Sequence, residues 1–128
     1  MNRMKKIILD TNFLTLPHQF KIDIFSEIGR IMEENYELFT LDSVVDELNK
    51  LSESKGKDAV AAKIGLELIK KKNIKIISTG EKNVDKAIIT ISNKNTIVAT
   101  NDKILRKKLK NENIKTIYLR SKKYLQIG

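Results

Sequence analysis

Cysteine is absent, histidine and proline each occur once, and glycine is limited to five positions in 128 residues. Without cysteine there is no disulfide framework, no thiolate zinc site and no cysteine nucleophile. A single histidine excludes a histidine-rich metal site and a two-histidine acid/base pair. Scarce glycine and proline argue against a fibrous or low-complexity chain. No apolar run approaches the roughly 18 residues that span a bilayer, so no membrane partner is expected. The opening MNRMKKIILD is basic, but only a short apolar stretch precedes Asp10, which does not suit a signal peptide. The expected compartment is the cytoplasm.

What is present is a core-forming share of apolar residues, 41%, and a high charged share, 32%. The length suits one domain over residues 1–128. The net charge of +9 is unevenly placed. Residues 1–54 carry 6 basic and 10 acidic side chains, whereas residues 55–128 carry 19 and 6. A basic block of that kind suits a polyanion such as nucleic acid. The alternative is that the excess keeps the chain soluble and reflects a lysine-rich composition.

Periodicity predicts strands at 4–9, 36–40, 74–78, 96–100 and 114–119. Helices are expected over 21–34, 43–51 (capped by Asp42 or Ser43), 58–72, 83–93 and 102–110. Segment 11–20, with Pro17, reads as a loop, and the tail from Ser121 carries no clear signal. Alternation of strand and helix implies an α/β fold, with a five-stranded, mostly parallel sheet and helices on both faces.

In such a sheet, ligands bind beyond the carboxyl ends of the strands. Asp10 ends the first strand, and Asp102 follows the fourth at the start of a helix. Either alone reads equally well as a cap. At 100° per residue, Glu47 falls on the flank of the stripe formed by Val44, Leu48 and Leu51, while Asp46 faces away. Asp85 falls between Ile88 and Ile89 inside the apolar arc of its helix, with Lys86 outside it. A carboxylate among core positions needs a partner, either a lysine or a shared cation. Four acids converging on one edge favour the cation. Oxygen ligands without histidine or cysteine select Mg²⁺ or Mn²⁺. Such an ion activates water and neutralises a leaving oxygen. With the basic second half, the pattern points to metal-dependent phosphodiester hydrolysis of nucleic acid.

The segments IILDTNFLTLP, VVDELNKL, VDKAII and TIVATNDKILRKKL resemble the PIN-domain ribonucleases over nearly the whole chain. The ending from Ile97 to Tyr124 resembles in particular the branch that processes small-subunit pre-ribosomal RNA in eukaryotes, with its short archaeal relatives. The resemblance implies a three-layer α/β/α sandwich and a metal-dependent endoribonuclease. Asp10, Glu47, Asp85 and Asp102 match the family's acids, as catalytic residues and ligands of Mg²⁺ or Mn²⁺. Asn12, Thr100 and Asn101 match its supporting polar positions. Pre-ribosomal RNA as partner, a role in rRNA processing and a homodimer are further implications. One departure is Lys86, where many relatives carry a second aspartate.

Other features are open to two readings. Arg106, Lys107 and Lys108 follow Asp102 and suit RNA phosphates, or form a solvated face. Phe13, Leu14 and Leu16 offer a dimer contact or pack inward. His18 and Tyr118 or Tyr124 could touch RNA, although aromatic residues are only 5%. Two other roles share this fold: a silent RNA-binding module in ribosome assembly, and a ribonuclease of a toxin–antitoxin pair. All four acids favour an enzyme over the silent module. A phosphoacceptor domain needs an acidic pair after the first strand, and a phosphatase needs a second aspartate where Asn12 stands.

Overall fold

The computed structural model describes residues 4–128. Its central strand is β1 (Lys5–Leu9), whose Ile7, Ile8 and Leu9 are buried as an unbroken apolar run, the pattern of a strand covered on both faces. The chain continues through α1 (Thr11–Phe20), α2 (Ile24–Ile31), β2 (Tyr36–Leu41), α3 (Asp42–Ser52), α4 (Lys57–Lys71) and β3 (Lys75–Ile77). It returns through α5 (Val84–Ile91), β4 (Thr96–Ala99), α6 (Lys103–Asn111), β5 (Lys115–Arg120) and β6 (Tyr124–Ile127).

The six strands lie in the order β3-β2-β1-β4-β5-β6, all parallel except β6. The chain winds outward from β1 to β3, crosses back, and winds outward again from β4. Right-handed crossovers in opposite directions put helices on both faces. The reversal lies between β1 and β4, where Leu9 pairs with Ala99. That switch point leaves a crevice at the carboxyl ends of two adjacent strands. Residues 10 and 100–102 form its edges.

Beneath it, α1 and α3 both pack on α4. The α1–α4 contact is close because Gly65 has no side chain: a Cβ there would stand 2.9 Å from the Leu14 carbonyl oxygen. Among the described residues no helix is long and apolar enough to cross a membrane.

Four elements depart from the sequence expectations. Residues 11–20 are helical despite Pro17, which leaves the Phe13 carbonyl without its usual amide partner. Burial of Phe13, Leu14 and Leu16, together with the Asp10 cap, outweighs that loss. The sheet has six strands, not five. β6 returns antiparallel on β5 through a turn with left-handed backbone at Ser121 and Lys122. Glycine or asparagine would have announced that turn. The outer edge of β6 is covered by α2: Arg30 Nη2 donates to the Leu125 carbonyl, and Glu27 Oε1 accepts from the Leu125 amide, both at 3.0 Å. The helix expected over 21–34 is shorter, bounded by its cap Asp23 and by Met32. Asp42 does not cap α3. It is the first residue of that helix, and its carboxylate turns to the segment after β3.

Candidate active site

β1 delivers Asp10 to the crevice. Its amide donates to the Ala99 carbonyl at 3.1 Å, joining the ends of the two central strands. Its side chain is buried and caps α1, with Oδ1 accepting from the Phe13 amide at 2.8 Å. Across the crevice, Thr100 is fully buried, and its Oγ1 accepts from the Asp102 amide at 3.1 Å. Asp102 caps α6, its Oδ1 accepting from Ile104 and Leu105 amides at 2.9 and 3.2 Å. Asn101 fastens the same loop to β5 by accepting from the Leu119 amide at 2.7 Å.

The other two acids come from the helices flanking this edge. Glu47, on α3, is exposed rather than core-leaning, and accepts a hydrogen bond from the Thr11 hydroxyl. Asp85, in the first turn of α5, is half-buried. All four carboxylates line one open cavity of about 470 Å³, with Thr11, Asn12, Lys82, Asn83 and Val84. Four acids separated by as many as 92 positions in sequence therefore meet in space, as the strand ends and helix faces predict.

The cavity holds charge at a cost. Burial pushes the Asp10 carboxyl up to about 7, and the charges of Asp102 and Asp85 push the same way, against the Thr100 hydroxyl and the Phe13 amide. Asp85 is also raised, first by burial and then by Asp102 and Glu47, with Lys108 opposing. By contrast Asp42 is lowered, by hydrogen bonds from the Thr79 and Gly80 amides.

Among the described residues, no three histidine, aspartate or glutamate side chains stand together as a ready-made ion site. Asp10 and Asp102 each give one oxygen to a helix cap, and Glu47 accepts from Thr11. The donor set and the mutual repulsion still fit a hard divalent cation. Both capping bonds use Oδ1, so neither occupies the second carboxylate oxygen.

The remaining candidates separate. Asn12 is exposed and lines the cavity. Lys86 and Asp46 are exposed on outer helix faces, as expected. The basic run of α6 does not present one surface. Lys107 and Lys108 are exposed, and Lys108 acts on Asp85. The Arg106 guanidinium instead lies over the Tyr118 ring, 3.4 Å from its centre, with Nε buried and without a hydrogen-bond acceptor. Arg106 thus packs on β5 and covers one face of the tyrosine. Phe13, Leu14 and Leu16 are buried and offer no dimer contact. His18 lies in the last turn of α1, not in a loop.

Three polar lining residues escaped the sequence reading. Thr11 sat in view beside Asp10. Asn83 is a recognisable cap, its Oδ1 accepting from the Lys86 amide at 3.0 Å. Lys82 has no local signal among 25 basic residues.

Residues 7–122 match a family model described as a PIN like domain. The chain is 40% identical to Ribonuclease VapC4 of Methanocaldococcus jannaschii, covering 97% of both chains. It is 33% identical to Ribonuclease VapC9 of Archaeoglobus fulgidus, covering 95% of this chain and 88% of that one. The fold resembles the PIN domain endonuclease Utp24, with a TM-score of 0.76 and 24% identity over 95% of this chain and 90% of that one.

Proposed function

The chain belongs to the PIN domain nuclease family, and from that premise we propose that it is a metal-dependent endoribonuclease whose site is the four-carboxylate cavity. One observation carries the reading: a buried aspartate at the sheet's switch point is held in a cavity with three more acids, and its carboxyl is pushed up to about 7. Such a site is relieved by a cation.

Asp10, Glu47, Asp85 and Asp102 would hold Mg²⁺ or Mn²⁺. When bound, the ion supplies an activated water and neutralises the leaving oxygen. The protein supplies position. The Phe13 amide fixes Asp10, the Thr11 hydroxyl orients Glu47, and the first amides of α6 fix Asp102. Thr100, in turn, holds the loop that bears Asp102. Lys107 and Lys108 are exposed on α6, as are Lys103 and Lys110, and are available to a phosphate backbone.

The test is cleavage of labelled RNA with Mn²⁺, Mg²⁺ or chelator, run beside Asp10→Asn. Cleavage that survives chelation or Asp10→Asn rejects the site. A second reading draws on the capped state of Asp10 and Asp102. In it the same cavity is silent and the chain only binds RNA, so RNA would be retained but not cut with either ion. The finer assignment, to pre-ribosomal RNA, rests on the resemblance of the ending from Ile97 to Tyr124. Mapping cuts on small-subunit precursor RNA beside an unrelated RNA tests it, and equal cutting of both removes it.

A further inference from the structure

Lys82 is the only basic residue lining the carboxylate cavity among the described residues. Its backbone is held on both sides. Two residues earlier, Gly80 takes a left-handed φ of 73° that favours glycine. The Thr79 and Gly80 amides and the Thr79 hydroxyl all donate to the Asp42 carboxylate at 3.2 Å. The Thr79 hydroxyl oxygen also accepts from the Glu81 amide at 3.2 Å, closing the turn. One residue after Lys82, Asn83 caps α5. Asp42 begins α3, the helix that carries Glu47. The backbone that carries the lysine is thus fastened to the two helices that bear Glu47 and Asp85.

A nucleic-acid strand entering a cavity of four carboxylates meets like charge, and a cation carried at the rim on a held backbone offsets that repulsion. A lysine needed only for solubility would not require a turn tied down by one carboxylate. We propose that Lys82 binds a backbone phosphate of the RNA at the mouth of the cavity, and that Asp42 is the positioning residue that sets it there. The proposal rests on the nuclease reading of the cavity, and goes beyond it by naming the residue that receives the substrate and the contact that holds it.

The experiment measures affinity for a labelled single-stranded RNA across a salt series, with full-length protein in an Asp10→Asn background so that nothing is cut. Lys82→Gln is expected to weaken binding roughly tenfold, as for one charged contact. It should also flatten the slope of log affinity against log salt by about 0.7. Lys82→Arg keeps both. Asp42→Asn weakens binding, and adds nothing further in the Lys82→Gln chain, a coupling that a merely structural role would not produce. Lys86→Gln, exposed on the outer face of α5, changes neither quantity. Lys82 is itself exposed, so its substitution leaves the fold intact. The proposal is overturned if Lys82→Gln binds with unchanged affinity and slope, if Lys86→Gln matches its loss, or if the parent chain does not bind RNA. Additive losses from Lys82→Gln and Asp42→Asn overturn the positioning role. Cleavage by the chain with native Asp10 is scored separately. Its absence with Mn²⁺ and Mg²⁺ removes the nuclease reading and leaves the binding result to decide Lys82.

Discussion

Thr11 donates its hydroxyl hydrogen to Glu47, joining the first turn of α1 to the middle of α3 across 36 positions of sequence. Thr11 is buried while Glu47 is exposed. The hydroxyl therefore gives an otherwise mobile carboxylate a fixed direction along the cavity wall.

Thr11→Val keeps the shape of the side chain and removes this donor. Turnover is expected to fall about tenfold, the worth of one hydrogen bond to a charged group, with KM little changed. Thr11→Ser should restore most of it. Steady-state cleavage of labelled RNA checks this, and a change confined to KM would place Thr11 in binding instead.

The state of Asp10 makes the metal-free protein sensitive to pH. Its carboxyl ionises at about 7 in the folded chain, against an ordinary value of 3.8. The folded state holds the proton more tightly, so this contribution to stability is fully present below about 4 and is lost as pH rises through about 7. Melting in chelator should therefore decline over that window, and Asp10→Asn should lessen the decline, leaving the variant the more stable chain at pH 8. Parallel melting curves against pH for the two chains decide it.

Adding Mn²⁺ or Mg²⁺ at millimolar concentration should raise the melting temperature by several degrees near pH 7.5, because a ligand of the folded state stabilises it by mass action. The gain should shrink in Asp10→Asn and in Asp85→Asn, and persist in Asp46→Asn. Equal gains in all four chains would mean that the ions act elsewhere.

Gly65→Ala places a methyl group 2.9 Å from the Leu14 carbonyl oxygen, a backbone atom that cannot step aside alone. A loss of about 1–3 kcal/mol is expected, read as a lower urea midpoint with unchanged slope. Gly29→Ala is the contrast. Its Cβ would meet only the Tyr36 hydroxyl at 3.6 Å, an ordinary contact. In the last turn of α2 that exchange should stabilise by about 0.5–1 kcal/mol.

Sequence made the first five strands and the four acids legible for the same reason. Strand ends follow from apolar runs such as Ile7–Leu9, and a parallel sheet puts its ligand edge where those runs stop. Helix phase was sufficient for Asp85, which lies half-buried where the apolar arc places it. It was less so for Glu47, because a position beside the core stripe of α3 opens onto the cavity instead of packing. α1 was hidden because a proline signal is local, whereas the burial that overrides it belongs to the whole fold. β6 was hidden because its turn puts left-handed backbone on Ser121 and Lys122. The basic run after Asp102 showed its charge but not its facing. Only the packed chain sends Arg106 to Tyr118 and Lys108 toward Asp85.

The pairing of β1 with β4 has a consequence for the birth of the protein. β4 begins at Thr96, so a chain still being synthesised and ending before that point already contains Asp10, Glu47 and Asp85. It lacks the strand that accepts the Asp10 amide, the threonine that holds the next loop, and Asp102 itself. The middle strand of the sheet is then an open edge, and the long-range closure that completes it comes late. A stalled or truncated product of that length is expected to be inert toward RNA. On the nuclease reading, the four acids come together only once β4 and the loop after it have docked on β1.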